Sequence, residues 1–395
     1  MSKQSFIQLK ELIGHLSKSK ILAGASSRDG KYKFYLSGKK EGRIDQAISN
    51  KDAVIMGDGG VASIQFAKGN YSYSSHNFGF FSKNKNVETR YLYRALENFL
   101  PVIDYQGFVG SGIKNIDKNF LFDLYIQIPS FSEQKKITSI LTSIDEVIEK
   151  TQRQIDKLQY LKKAIMNELL TKGIGQTEFK DSELGRIPKS WKVLKISDLK
   201  LEIKNSIKIG PFGSSLSKKE MVTKGIKVYG QENIYENNFK LGKYFITKNK
   251  YEKLKTCTLK SNDVIISMMG TVGASTVFPV DAEIGIMDSH LLRIQVKENL
   301  VSPNFLSNQI SNYEKISIQI RKMSQGGIME GLNSQIIHSL KIIIPTLDEQ
   351  KKILEIIESI QVTTTTVQYK LEKHQSLKKS LMRDLLTGKV RVKVN

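Results

Sequence analysis

The strongest constraint on this chain is that it repeats itself. Residues 124–172 align with residues 340–388 at a constant offset of 216 and without a gap, and 22 of the 49 positions are identical, enough to require one shared local structure. The matches include Pro129 with Pro345, Glu133-Gln134-Lys135-Lys136-Ile137 with Glu349-Gln350-Lys351-Lys352-Ile353, and Leu161-Lys162-Lys163 with Leu377-Lys378-Lys379. Each copy opens on an apolar run closed by a proline, the pattern of a strand that stops. A helix follows directly, because Ser132 with Glu133, and Asp348 with Glu349, put oxygens and negative charge where the first helical N–H groups lack partners. Apolar residues then recur in steps of three and four at Ile137, Leu141, Ile144, Ile148, Ile155, Leu158, Ile165 and Leu169. The second stripe runs through Ile353, Ile357, Ile360, Val367, Leu371, Leu381 and Leu385, and the β-branched run at 363–366 predicts local bending.

A helix of about 40 residues spans about 60 Å and cannot bury a single stripe alone. The other copy supplies a partner of equal length. Since the first helix carries the chain from one globular part to the next, the second packs along it only by running back. The expected fold class is therefore α+β: two mixed α/β globular domains separated by two long antiparallel helices forming a coiled coil, with the domains at opposite ends of a pseudo-twofold rod. The expected divisions are 1–128, 129–175 (helix 1), 176–343 and 344–395 (helix 2 and tail). The globular parts repeat loosely, with Asp52-Ala53-Val54-Ile55 resembling Asp263-Val264-Ile265-Ile266 and Ser75-His76 echoing Ser289-His290. Both read as strand, glycine turn, strand, in sheets expected to be largely antiparallel. Helices are expected at 91–99 and 305–320, a short apolar helix at 6–13, and a polar linker at 171–189.

The formal charge of +22 favours a polyanionic partner. The excess sits in the globular parts, with 18 basic against 11 acidic residues in 1–127 and 25 against 16 in 176–343, whereas the helical segments are mixed. No apolar run is long enough for a membrane span, and the N-terminus lacks a secretory pattern, so a cytoplasmic protein without a membrane partner is expected. The lone Cys257 cannot form an internal disulfide.

Catalytic motifs are missing. None of the seven prolines sits in the Asn-Pro-Pro-aromatic loop of an amino-methyltransferase, and no P-loop spacing occurs. Glu349-Gln350-Lys351 mimics the end of a nuclease motif, but the same residues at 133–135 mark it as a helix start. The five histidines are scattered without the spacing of a helical zinc site, so no metal is expected. Gly57-Asp58-Gly59-Gly60 lacks dinucleotide spacing and reads as a tight connection.

What remains is a binding constellation. Lys208, Gly210, Phe212, Gly213, Ser214, Ser215, Lys218 and Lys219 combine close backbone approach with hydroxyls and ammonium groups suited to phosphate. Gln231, Glu232 and Asn233 offer donors and acceptors for base edges. Arg321 and Lys322 lie near a Gly326-Gly327 turn. In the first domain, Lys31, Lys33 and Tyr35, and then Tyr71, Tyr73, Ser75, His76 and Asn77, interleave aromatic with polar and basic groups, although part of these aromatics would pack a core. The candidate DNA-binding set is these residues, with no catalytic, cofactor or metal site; the competing reading is a basic two-domain scaffold for RNA or an acidic protein.

These residues carry a resemblance over essentially the whole chain to the specificity subunit of type I restriction-modification systems. The strand-Pro-x-x-x-Glu-Gln-Lys-Lys-Ile start of each long helix resembles that family's two spacer regions, as does the Leu-Leu-Thr exit at Leu169 and Leu385. Gly185-Arg186-Ile187-Pro188-Lys189-Ser190-Trp191 resembles the lead-in to a target-recognition domain, and Gly210-Pro211-Phe212-Gly213-Ser214 its early loop. The first domain departs from the pattern by lacking Ile-Pro-x-x-Trp. The resemblance implies a non-catalytic subunit that binds double-stranded DNA, each domain reading one half of a split asymmetric target. Its helices would set the spacing and recruit two methyltransferase subunits, with restriction/translocase subunits joining the full complex. S-adenosylmethionine, ATP and magnesium would bind those partners and not this chain.

Overall fold

The computed structural model of the chain describes residues 5–38, 41–212, 215–324 and 332–394. Two compact units emerge, Met1–Gln154 with Val367–Asn395, and Ile155–Thr366. The division falls inside two long helices, Phe131–Lys172 and Leu347–Leu386, so each unit holds the beginning of one and the end of the other.

In the first unit, Ser5–Gln8 pairs antiparallel with Tyr125–Ile128, the strand that precedes the first long helix. A four-stranded antiparallel sheet follows in the order Ile13–His15, Asn77–Ser82, Ala53–Gly57, Ile64–Ala67. A three-stranded sheet sets Tyr32–Tyr35 antiparallel to Glu41–Ile44 and parallel to Tyr71–Tyr73. The second unit repeats this plan strand for strand. Lys192–Lys195 pairs with Lys341–Ile344; the four-stranded order is Ile207–Ile209, Leu291–Ile294, Val264–Ser267, Ser275–Val277; and Ile226–Tyr229 lies between antiparallel Phe245–Ile246 and parallel Gly285–Met287. The parallel pair in each unit is the exception to the antiparallel expectation.

The two helices are antiparallel. In the first unit, Ile137 and Leu141 from the start of one share a core with Met382, Leu385 and Leu386 from the end of the other. In the second, Met166, Leu169 and Leu170 join Ile353 and Ile357. The threonine run at 363–366 stays helical, with Thr363, Thr364 and Thr366 turning their hydroxyls back onto the carbonyls of Ser359, Ile360 and Val362.

The repeated Glu-Gln pair seats each globular part on its helix. Gln134 is fully buried; its amide oxygen accepts the Glu88 N–H at 2.9 Å, and its nitrogen donates to the carbonyls of Asn86 and Pro129. Gln350 does the same with the N–H of Ser302 and the carbonyls of Leu300 and Pro345. Glu88 and Ser302 open the helices Thr89–Val102 and Pro303–Asn312. The expected helix at 305–320 is broken at Tyr313, which is buried in the core between Pro303–Asn312 and Glu314–Ser324.

Two further expectations are corrected. Residues 6–13 are not one helix but the end of a strand, a single turn Leu9–Leu12 and the next strand. Pairing with 125–128 satisfies the backbone, and the Leu9 N–H donates to Leu124 O as the Ile196 N–H donates to Leu340 O in the second unit. The first domain therefore keeps the edge strand of the second. The linker at 171–189 contains a hairpin, Phe179–Lys180 with Ile187–Pro188, that delivers Trp191 into the core.

Candidate nucleic-acid interface

Each unit builds the same polar corner where three connections meet. In the first unit, the Asp58 N–H donates to His76 O at 2.9 Å, and the Ser74 N–H to Tyr35 O at 3.0 Å. In the second, the Met268 N–H donates to His290 O at 2.9 Å, and the Asp288 N–H to Tyr229 O at 2.9 Å. These bonds fix a histidine-bearing turn against the glycine-containing connection that ends the central strand. The side chains of His76 and His290 remain exposed.

Around His290 the predicted residues converge. The Gly210 N–H donates to Leu291 O at 3.0 Å, and a Cβ at 210 would collide with the Asp288 carbonyl oxygen, so only glycine lets this loop pass so close. Phe212 and Ser215 follow, both exposed; Gly213 and Ser214 lie outside the described residues. The Gln231 amide reaches Ser267 Oγ at 2.6 Å and Met269 O at 2.5 Å, and Tyr235 Oη joins the same two groups at 3.0 Å, anchoring the connection after the central strand. Asp288 holds the His290 ring at 3.3 Å; burial pushes its carboxyl above the ordinary range, against the hydrogen bonds from His290. A Cβ at Gly230 would lie 2.6 Å from Glu232 Oε2, which brings a second carboxylate to the corner. Such a surface pairs donors and acceptors at fixed positions, as base-edge recognition requires.

Other candidates stand apart from this constellation. Asn233 is fully buried, its oxygen accepting the Gly230 N–H and its nitrogen donating to the carbonyls of Asn238 and Leu241, so it braces the turn and is unavailable to a ligand. Half-buried Lys208 lies on the edge strand beside Arg293. Lys218 and Lys219 are exposed on a 3-10 turn. Arg321 and Lys322 are exposed on the last turns of their helix, where neighbouring Ile320 lies 3.2 Å from a Cβ placed on Gly273, and the Gly326-Gly327 turn lies outside the described residues.

In the first unit the aromatic candidates are core. Tyr35, Tyr71 and Tyr73 are buried, with hydroxyls donating to the carbonyls of Phe66, Lys51 and Ser17, and burial pushes Tyr35 and Tyr71 up to about 12. Asn77 is buried and donates to Tyr35 O and Ser74 Oγ. None of these four can face a ligand. Lys33 is exposed but paired with Glu41 at 3.1 Å, and Lys31 is exposed beside Tyr32. Ser75 and His76 remain at the corner, where the Ser37 hydroxyl donates to His76 O and the Gly60 N–H to Lys114 O. Sequence reasoning missed Lys114, Glu232 as a neighbour of Asp288, and Asp288 itself. The echo of Ser75-His76 in Ser289-His290 was the signal that pointed to the corner.

The family model for the type I restriction modification DNA specificity domain matches residues 1–160 and 188–374. The chain is similar to the MjaVIII specificity subunit of a type I restriction enzyme from Methanocaldococcus jannaschii, with 27% identity covering 88% of this chain and 80% of that one. It is also similar to the putative MjaX specificity subunit of the same organism, 30% identical over 79% of this chain and 70% of that one. Its fold is similar to the crystal structure of a type I restriction-modification S subunit from M. genitalium, with a TM-score of 0.61 at 16% identity, covering 97% of this chain and 96% of that one. Among the described residues no helix is long and apolar enough to cross a membrane. With the family model matching most of its length and the same unit built twice around repeated helices, this chain belongs to the type I restriction-modification DNA specificity family.

Proposed function

We propose that the chain reads a split, asymmetric DNA target, one half with each unit, and catalyses no reaction itself. The corner built twice from equivalent hydrogen bonds carries this reading, because two copies with different exposed side chains suit two different sequences on one duplex. The first corner presents Ser37, His76 and Lys114, the second Gln231, Glu232 and His290. The excess of basic residues supplies sequence-independent attraction to phosphate. The long helices hold the readers at a fixed separation and recruit two methyltransferase subunits, with restriction/translocase subunits completing the assembly. S-adenosylmethionine, ATP and magnesium belong to those partners.

The test exchanges residues 176–343 for the corresponding segment of a relative and maps methylated sites made with the partner methyltransferase. One half of the target changes and the other stays. Simultaneous change of both halves, or methyl transfer by the highly purified chain alone, contradicts the reading.

A further inference from the structure

The seat of each globular part on the helix pair differs between the units in a way that leaves one charge exposed to an outside partner. In the first unit four ionic side chains close a ring. Arg94 contacts Glu97 at 2.8 Å and Asp145 at 2.5 Å, and Lys378 contacts the same two carboxylates at 2.7 Å each. Two cations meet two anions. Burial acts to lower the Lys378 pKa, but hydrogen bonds and attraction from Asp145 and Glu97 outweigh it and hold it above the ordinary value.

The internal repeat identifies the same four places in the second unit. At the offset of 216, Lys378 corresponds to Lys162 and Asp145 to Gln361. The matching bonds of Gln134 to Glu88 and Gln350 to Ser302 set the register of the other helices, placing Asn308 at the position of Arg94 and Ser311 at that of Glu97. Only the lysine survives. Lys162 donates to Gln361 Oε1 at 2.6 Å, a neutral acceptor; Ser311 is engaged with the backbone of Ser275, and Asn308 with Asn304 O. Beside its ionic ring the first unit keeps a cavity of about 310 Å³ bordered by Arg94 and Asp145, whereas the second has a larger one of about 580 Å³ lined by Gln159, Lys162, Asn312, Ser317, Gln361 and Thr364. Lys163 and Glu314, both exposed, also border it and offset one another in charge. Burial lowers the Lys162 pKa, and no carboxylate attraction restores it.

We propose that this cavity is a binding site for a small oxyanion of the carboxylate or phosphate class, held by the Lys162 ammonium in the place that Asp145 and Glu97 occupy in the first unit. The amide and hydroxyl groups of Gln159, Asn312 and Ser317 supply neutral donors around that charge, the combination that favours anions over cations. The site lies within one unit and is independent of the DNA-reading assignment.

The chain's single tryptophan, Trp191, lies in the core of the second unit and reports its unfolding. The experiment melts the full-length protein by tryptophan fluorescence in sodium acetate, sodium phosphate or sodium chloride at matched ionic strength. At saturation acetate or phosphate raises the transition by about 2–4 °C relative to chloride, and the more effective salt identifies the anion class. Lys162→Met abolishes the difference. Gln361→Asp, which restores the internal carboxylate of the first unit, raises the transition in chloride and removes the anion response. Identical transitions of the wild type in all three salts overturn the proposal, as does an undiminished anion response in Lys162→Met.

Discussion

The two long helices carry the same five residues, Glu-Gln-Lys-Lys-Ile, from their third position, yet the glutamates find different partners. Glu349 in the second unit accepts the Trp191 indole N–H at 2.8 Å, the Ile174 N–H at 3.1 Å and the Gln176 amide at 3.2 Å. Its counterpart Glu133 is met by the C-terminal tail, with Arg391 Nε at 2.6 Å and Nη2 at 2.9 Å. Both carboxylates are buried at a helix N-terminus, where negative charge is favoured but needs donors. What the repeat conserves is that requirement. The donor comes from whatever chain follows the end of the antiparallel neighbour: the 173–191 segment after the first helix, and the tail after the second. This accounts for the missing Ile-Pro-x-x-Trp in the first domain, whose place at the glutamate is taken by Arg391.

Replacing Trp191 with Ala breaks this arrangement most severely, since it removes a fully buried indole from the core and a donor from Glu349. The expected loss is about 3–5 kcal/mol in the second unit. Denaturant unfolding followed by circular dichroism checks it; a loss below about 1 kcal/mol would show that the hairpin after the first helix contributes little.

A smaller effect is expected from Lys378→Met. It leaves Glu97 and Asp145 sharing Arg94 alone in a mostly buried ring, at a cost of about 2–3 kcal/mol. The corresponding Lys162→Met removes a charge without a carboxylate partner and should leave stability in chloride nearly unchanged. Equal losses in the two variants would erase the distinction between the units.

The smallest effect is one of pH. The Arg391 hydrogen bond, opposed by burial and helped by Ser130, holds the Glu133 carboxyl below its ordinary value. A carboxyl depressed in the folded state stabilises fully above its unfolded pKa of about 4.3 and loses that contribution as pH falls through the folded value. Melting of the first unit should therefore weaken below about pH 4.3, and Glu133→Gln should remove part of that slope. An unchanged acid slope in the variant would mean that the tail contact does not hold Glu133 ionised.

The helices, their antiparallel pairing and the repeated strands were legible because each rests on local periodicity or on identity between copies. The strand at 5–8 was not, because its partner lies more than a hundred residues away at 125–128 and a four-residue segment holding only Phe6 and Ile7 as apolar residues suits a helix equally. The same limit applies to the site. Tyr35, Tyr71 and Tyr73 have the composition of a stacking surface, and only the parallel pairing of 32–35 with 71–73 reveals that they face inward. Asn233 looks like a base reader until its turn closes around it. Arg391, at the end of the sequence, carries no local pattern linking it to Glu133, 258 residues earlier.

The central claim is that each unit reads its own half of one DNA target through its own corner. It is tested most directly by comparing His76→Ala with His290→Ala, each assembled with the partner methyltransferase and assayed on a library of randomised targets. Discrimination should fall by about 10-fold at a position in one half-target for one variant and in the other half for its counterpart, with each remaining half read as before. Loss of discrimination in the same half by both variants, or in neither half by either, would contradict the account.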